Sequence, residues 1–474
     1  MLFCDGHLCC EVAMLQRFVG DRAFYRRVLS VAIPIIIQNG ITMFVSLLDN
    51  IMVGQIGTCQ MSGVSVVNTL FFVFNLCIFG ASAGAGIFSS QFYGSGDHAG
   101  IRHTFRFKIL ACSALALLVM AIFGVFGTDL IQLYLTGDGS PQDAADTLRY
   151  GREYLNMMLL GMLPFALSNV YASTLRETGN ATVPMAASVS AVLVNLVLNY
   201  LLIFGHLGLP TMGARGAALA TVISRVVELL IVASWTHLHK QRNPYIQGVY
   251  RSFHIPGKLL RDIFRTGMPL LMNEFLFSLG NAVNNQLQST CGLNVLPATN
   301  ISGTIYNLAC VAFIAIGNAT GIIMGQMMGA GENKEKIQDA FTKMTALSMA
   351  ATVVLAVAMA GTAGLFPKIY NTTQEVRDLA AKLICISACA MPFGAYVHAA
   401  YFAMRSGGKT LLTTVFDSGF IWFYSLPVTF LLCHFTNFSI LVIACVPITA
   451  DILKCIFGYH VIKSGKWIQN LSVR

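Results

Sequence analysis

The sequence predicts an all-α polytopic membrane protein, with twelve transmembrane helices arranged as two lobes of six. Three observations carry that prediction. Charged residues make up 11% of the chain, against roughly 25% in a soluble domain; 55% is hydrophobic and the mean hydropathy is +0.67. Residues 26–108 align with residues 261–343 at a constant offset of 235 without a gap, setting Pro34 on Pro269, Gln91 on Gln326, Gly94 on Gly329, Gly96 on Gly331 and Asp97 on Glu332. Finally, Lys and Arg are spread unevenly over the connections between apolar runs.

The elements follow in chain order. Residues 1–27 form an N-terminal leader that includes Cys4, Cys9 and Cys10; Met14 offers an alternative start, because MLQRFVGDRAFYRR already supplies a basic amphipathic entry to the first helix. No cleavable signal is evident, since the first apolar run is too long, and too polar on one side, for a signal-peptide core. Twelve apolar spans then run at about 28–53, 62–88, 104–127, 152–173, 183–205, 214–236, 263–287, 296–322, 341–365, 380–402, 411–433 and 438–462. Each is near the ~20 residues needed to cross a bilayer as a helix. The N-lobe is 28–236, a polar linker fills 237–262, the C-lobe is 263–462 and a tail occupies 463–474.

Basic residues set the orientation. One set of connections carries 23 Lys and Arg, counting Lys454 of the last span with the C-terminal end; the other set carries six, and Arg225 lies inside a span. The basic side faces the cytoplasm, so both termini are expected there. The net charge of +9 is therefore a topology signal, and no nucleic-acid partner is expected. Each lobe has an even number of spans, so both enter the membrane in the same sense. Such copies are related by an axis along the membrane normal, as in transporters built from parallel repeats.

The first span organises the chain. Gln38, Asn39, Thr42, Ser46, Asp49 and Asn50 fall within an arc of about 120° on a helix. A carboxylate at membrane depth is costly unless it faces a bundle interior or a wet cavity, so Asp49 marks a cavity wall. The seventh span repeats the pattern with Asn273, Glu274, Ser278, Asn281, Asn284, Asn285 and Gln288, within an arc of about 140°. The acids do not superpose: Asp49 meets Asn284, and Glu274 meets Asn39. The halves share a scaffold but not a chemistry.

Other polar residues read more plainly. Asn68, Asn75, Asn195 and Asn199 are amides of the kind that cross-link helices. Arg225 with Glu228, and Asp451 with Lys454, are i,i+3 pairs expected to neutralise each other. Asp417 is expected near the interface, His398 is a core histidine by default with proton carriage as the alternative, and His237 and His239 sit in a solvated linker. Thirteen cysteines show no CxxC pair and no spacing suited to a metal. AMRSGGKT at 403–410 nearly matches a P-loop, but its first glycine is missing and it follows an apolar helix instead of a strand. ATP chemistry encoded in this chain is rejected.

SLLDNIMVGQIG in the first span, GAGIFSSQFYGSGD closing the second, LRETGN after the fourth, NLVLNYLLIFGHLGLP into GARGAALAT, and GQMMGAGE closing the eighth resemble the multidrug and toxic compound extrusion (MATE) transporters. The resemblance covers nearly the whole chain after Met14. It implies two six-helix lobes forming a V that opens alternately to either side, and export of organic, often cationic compounds in exchange for Na⁺ or H⁺. By the same resemblance, cation or proton coupling falls on Asp49, Asn195, Asn199 and Thr221, with a Na⁺ site conceivable only at Asp49. Glu274 matches the seventh-helix glutamate of the NorM-like branch. Asn199 departs from the pattern, standing where many members have a second aspartate, and the tenth span lacks the acid that NorM-like members carry there. Substrate contacts are expected at Glu274, Gln38, Asn39, Asn68, Asn273 and Asn284.

Three functional readings compete at this point: a drug or metabolite antiporter, a lipid-linked precursor flippase of the wider superfamily, and an intramembrane transferase. Twelve spans in place of fourteen and no strongly basic cavity argue against the flippase. Neither paired Asp-rich motifs nor a membrane His/Asp constellation is present for the enzyme. The expectation is a non-enzymatic, monomeric antiporter without a cofactor, in a cell membrane (the cytoplasmic membrane of a bacterium), coupled to H⁺ or Na⁺ with a lean toward H⁺.

Overall fold

The computed structural model describes residues 18–134, 141–289, 295–370, 372–436 and 438–473, and within them leaves the side chains of Ser46, Leu47, Asn50, Ile51, Thr58, Ser289 and Leu296 undescribed. Most of the expected leader, and Ser46 and Asn50 of the first polar stripe, therefore lie outside the described residues. The described residues form helices joined by short turns, with no strand among them.

Twelve long helices follow one another: α1 Arg22–Gly54, α2 Thr58–Ser95, α3 His98–Gln132, α4 Pro141–Glu177, α5 Thr182–Phe204, α6 Ala214–Leu238, α7 Gly257–Ser289, α8 Val295–Gly329, α9 Lys334–Thr362, α10 Gln374–Ser406, α11 Thr410–Phe435 and α12 Ile440–Lys463. Eleven are long and apolar enough to cross a membrane. The exception is α7, 33 residues long, whose composition is diluted by Lys258, Arg261, Asp262, Arg265 and Glu274. The expected twelve-helix, two-lobe fold class is borne out.

Local chemistry sets the helix ends. The Asp97 side chain accepts the Gly100 backbone N–H at 2.9 Å and starts α3, while Thr373 does the same for Val376 at the start of α10. The turn before α3 takes a left-handed φ of +76° at Gly96, and its repeat partner Gly331 has +72° before α9; glycine adopts this conformation without a Cβ penalty. α11 departs from regularity: Val415–Gly419 and Ile421–Ser425 are π-helical.

Packing divides the chain into two compact units. Among the described residues, one comprises Ile37–Ser89 with Asp97–Gly267; the other comprises those up to Ile36, Ser90–Gly96 and those from Met268 on. The start of α1 and the end of α2 thus group with the second half of the chain, whereas the sequence reading assigns both to the N-lobe. The physical reason lies in the end of α2. A Cβ on Gly94 would overlap the Gln326 carbonyl, a Cβ on Gly329 would overlap the Gln91 carbonyl, and Ser90 lies against Gly325. These three pairs map onto one another under the 235-residue repeat, so the ends of α2 and α8 cross about a local two-fold with backbone almost touching backbone. Arg27 adds a bond from its guanidinium to the Gln326 side-chain oxygen at 3.0 Å.

In the first unit, α4 packs on α3 and α6, and α5 packs on α6; in the second, α10 packs on α8, α9 and α12. The fully buried Lys108 of α3 donates to both Glu177 carboxylate oxygens at 2.6 and 2.7 Å. Glu177 fills the space beside Gly86, where a Cβ would clash with it. The glutamate of the LRETGN string is thus part of an α2–α3–α4 joint.

The linker differs from a solvated loop. Tyr245, Ile246 and Val249 are buried. Arg106 donates to the carbonyls of Gly248, Val249 and His254 at 2.9, 2.8 and 3.3 Å, and Arg102 to that of Tyr245 at 3.1 Å. His237, at the end of α6, contacts the Tyr171 hydroxyl at 3.0 Å and stacks on Tyr250. The tail docks in the other unit: Trp467 is fully buried, and Gln91 donates to the carbonyls of Ser406 and Gln469 while accepting the Leu471 N–H at 2.6 Å. The P-loop-like string is the turn between α10 and α11, and Gly407 there leaves no room for a Cβ beneath the Trp467 carbonyl.

Candidate functional site

In the first unit, α1 delivers Asp49 to α5 and α6. Its Oδ1 accepts the Asn199 amide N–H at 2.6 Å. The Asn195 amide satisfies its neighbours best with its nitrogen toward Asp49, 3.2 and 3.1 Å from the two carboxylate oxygens, and its oxygen accepting from the Thr221 N–H and hydroxyl at 3.3 Å. Asn195 and Asn199 are one helical turn apart on α5 and so share a face. Asn199 Oδ1 is buried and makes no hydrogen bond. It is an acceptor beside the acid, available to a proton carried by Asp49 or to a small cation. The four coupling residues expected from the sequence come together.

Asp49 lines a cavity of about 670 Å³ shared with Asn68, Asn75, Tyr154, Asn199, Thr221 and Arg225, and walled by Phe71, Phe72, Phe74 and Phe165. Such apolar walls with a few convergent polar groups are the usual make-up of a small-molecule site. Tyr154 donates to Asn68 Oδ1 at 3.3 Å. The guanidinium of Arg225 lies over the Phe165 ring at 5.2 Å and bonds Glu228 at 3.0 Å. The expected i,i+3 neutralisation is realised, yet Arg225 also presents a cation to the cavity. Sequence periodicity gave no sign of this, because only packing aims the side chain. Of the substrate contacts expected on α1 and α2, Asn68 lines this cavity. Gln38 and Asn39 are half-buried and do not; Gln38 accepts from Arg176 at 3.5 Å.

The second unit sews α7 to α11. Thr414 donates to the Pro269 carbonyl at 3.1 Å, Trp422 to the Leu276 carbonyl at 3.0 Å and Thr429 to Asn284 Oδ1 at 3.1 Å. Asn273 is fully buried. Its oxygen accepts from the Ser418 hydroxyl at 2.6 Å, and its nitrogen donates to Asp417 at 3.1 Å and Tyr401 at 3.3 Å. Asn273 and Asn284, expected as substrate contacts, are placed as ties between helices. Glu274 accepts from Tyr401 at 3.2 Å. Asp417 is not interfacial: it bonds Asn273 and faces Lys454 Nζ at 3.7 Å, which also stands 3.9 Å from Asp451. His398 packs on Phe313 within the α8–α10 interior, as the default reading expects. Among the described residues, no group of three His, Cys, Asp or Glu could hold a metal ion.

Comparison with known proteins agrees with this arrangement. The chain is 25% identical over 453 residues to a probable multidrug resistance protein NorM of Thermotoga maritima, covering 93% of each chain. It is 24% identical over 412 residues to the probable multidrug resistance protein YoeA of Bacillus subtilis, covering 86% of this chain and 87% of that one. A solved outward-facing structure of a multidrug resistance MATE family transporter of the MOP superfamily superposes with a TM-score of 0.84 at 19% identity, over 95% of this chain and 98% of the other. The MatE family model matches residues 34–201 and 269–433. With well over half its length matched, and each half contributing one segment, this multi-pass membrane chain belongs to the MatE family.

Proposed function

We propose that the chain is a secondary active efflux antiporter that exports organic compounds, cationic ones among them, in exchange for H⁺ or Na⁺, with Asp49 as the coupling group. One observation carries the reading: a lone α1 carboxylate, held by two α5 amides, opens into an aromatic-walled cavity of about 670 Å³. The names of the relatives, probable multidrug resistance proteins, support the substrate class.

The amides favour the proton as coupling ion. With Asp49 ionised, the Asn199 N–H₂ donates to it at 2.6 Å. With Asp49 protonated, the same amide, turned over, offers its oxygen to the new O–H, so one side chain serves both states. Sodium would draw on the oxygens of Asn195, Asn199 and Thr221 but would find only one carboxylate. Protonation removes the charge that holds α5 to α1, and α1 contains Pro34, where a helix bends most readily. An ion that binds one conformation better than the other shifts the balance by its differential affinity, and that shift links ion entry to drug release.

The positive-inside distribution of Lys and Arg supports a cytoplasmic location for both termini, the 237–262 connection and the α2–α8 crossing. A cysteine placed at the exposed Gln247 should react with impermeant maleimide only from that side. The function is tested in proteoliposomes holding a fluorescent organic cation, with a pH gradient and a sodium gradient imposed separately. Export driven by either supports the proposal and names the ion; no export under either gradient overturns it.

A further inference from the structure

The acids of the second unit carry an inference of their own. Asp417 on α11 and Asp451 on α12 face one another across Lys454, whose side chain is 7% exposed and whose Nζ lies 3.7 Å from one carboxylate and 3.9 Å from the other. Lys454 is 14 residues from Ile440 and nine from Lys463, the ends of the apolar helix α12, about 21 and 13 Å along its axis, which sets the cluster within a membrane-spanning helix. Two carboxylates this close require a cation between them or the loss of a charge. The oxygen supply suits a hard cation, with Asn273, Tyr401 and Glu274 continuing the network on α7 and α10. The π-helical run Val415–Gly419 turns Asp417 and Ser418 inward together; π-turns of this kind recur at functional sites.

We propose that Lys454 is a built-in counter-cation. Its tethered ammonium occupies the position a free Na⁺ would take between Asp417 and Asp451, closes the second unit to metal cations and leaves ion coupling to Asp49. The inference rests on the antiport reading for its significance, but not for its test. An ammonium on a four-carbon stem cannot leave, so the position is filled in every state of a transport cycle, whereas the acceptor beside Asp49 can be filled and emptied. Arg405 and His398 lie on α10 and supply no carboxylate that would compete for Lys454.

Na⁺ binding to the purified full-length protein tests this independently of transport, by scintillation proximity with ²²Na⁺ in choline buffer. All variants carry Asp49→Asn to silence the first unit. Asp49→Asn alone should retain Na⁺ only at the background level of protein-free beads. Adding Lys454→Met should raise retention about tenfold or more, the scale set by removing a like charge a few ångströms away, and adding Asp417→Asn to that variant should abolish the gain. If loss of the ammonium prevents folding, the charge-balanced Lys454→Met/Asp451→Asn pair replaces it, with a smaller gain expected because Asp417 alone remains. Na⁺ bound by the Asp49→Asn protein and lost on Asp417→Asn would overturn the proposal. So would a monodisperse Lys454→Met or charge-balanced variant that gains nothing. If both of these variants fail to fold, the Asp49→Asn arm decides: absence of Asp417-dependent Na⁺ supports the proposal, and its presence overturns it. A protein that fails as an antiporter yet gains Na⁺ in these variants refutes the transport reading alone.

Discussion

Asp49–Asn199 in the first unit and Asn284–Thr429 in the second occupy the same place on the same pair of helices. Asp49 and Asn284 are 235 residues apart, and each bonds the helix that follows the fourth of its half. The partner helices keep a slightly different register. Gly179 and Gly408, the left-handed turns that precede α5 and α11, are 229 apart, while Asn199 and Thr429 are 230 apart. The extra residue is absorbed in the π-helical stretch of α11, since an i→i+5 turn accommodates one more residue than an α-turn. Duplication therefore preserved the joint and changed its chemistry. One copy carries an acid that opens on a cavity, and the other carries a neutral tie in a row of ties. A position that can titrate is placed where the helix pair is loosely sewn, and the acids of the tightly sewn copy sit beside a resident lysine.

The comparison breaks most completely where the halves are still identical. Gly94→Val and Gly329→Val each drive a side chain into the opposite carbonyl, and overpacking costs ~1–3 kcal/mol, more where the obstacle is backbone that cannot move aside. Both variants should fail to accumulate as monodisperse protein, read by fluorescence-detected size exclusion; equal yield to wild type for either would dissolve the local two-fold.

Lys108 and Lys343 are repeat equivalents that have diverged in setting. Lys108 is fully buried on Glu177, whereas Lys343 pairs with the half-exposed Asp339 at 2.6 Å. Removing one partner of a buried pair costs ~3–5 kcal/mol, and a surface pair is worth ~0–1 kcal/mol. Lys108→Met should therefore depress the apparent unfolding temperature strongly and Lys343→Met hardly at all. Asn273 and Gln38 form a second equivalent pair. Asn273→Ala strands Ser418 and Asp417 and should cost ~1–3 kcal/mol, while Gln38→Ala gives up one long bond at 3.5 Å and should cost less. Thermal unfolding of the two variants side by side checks the ratio.

Glu274→Gln is the smallest expected change in stability, since the amide keeps its shape and still accepts from Tyr401. It should alter the ranking of transported cations, measured as competition among several dyes; an unchanged ranking would leave Glu274 as one more helix tie.

Much of this was legible in the sequence. The helices, the repeat and the polar stripe of α1 follow from periodicity and hydropathy, which report the single helix. Asp49, Asn195, Asn199 and Thr221 were found because a buried acid on a polar stripe is anomalous and because their motifs resemble a known family. What remained hidden was set by contacts between helices. Arg225 turns into the cavity over Phe165, Asp417 leaves the interface for Asn273 and Lys454, and the linker that looked solvated is pinned by Arg102 and Arg106. None of these contacts has a period. Asn273 and Asn284 belonged to a stripe like that of α1, and only the facing α11 shows that the stripe is sewn shut.

In proteoliposomes preloaded with a fluorescent organic cation, Asp49→Asn protein should insert and bind the dye but export it no faster than empty vesicles under either an imposed pH gradient or an imposed sodium gradient. Export at the wild-type rate by that variant, under either gradient, would remove Asp49 from the mechanism.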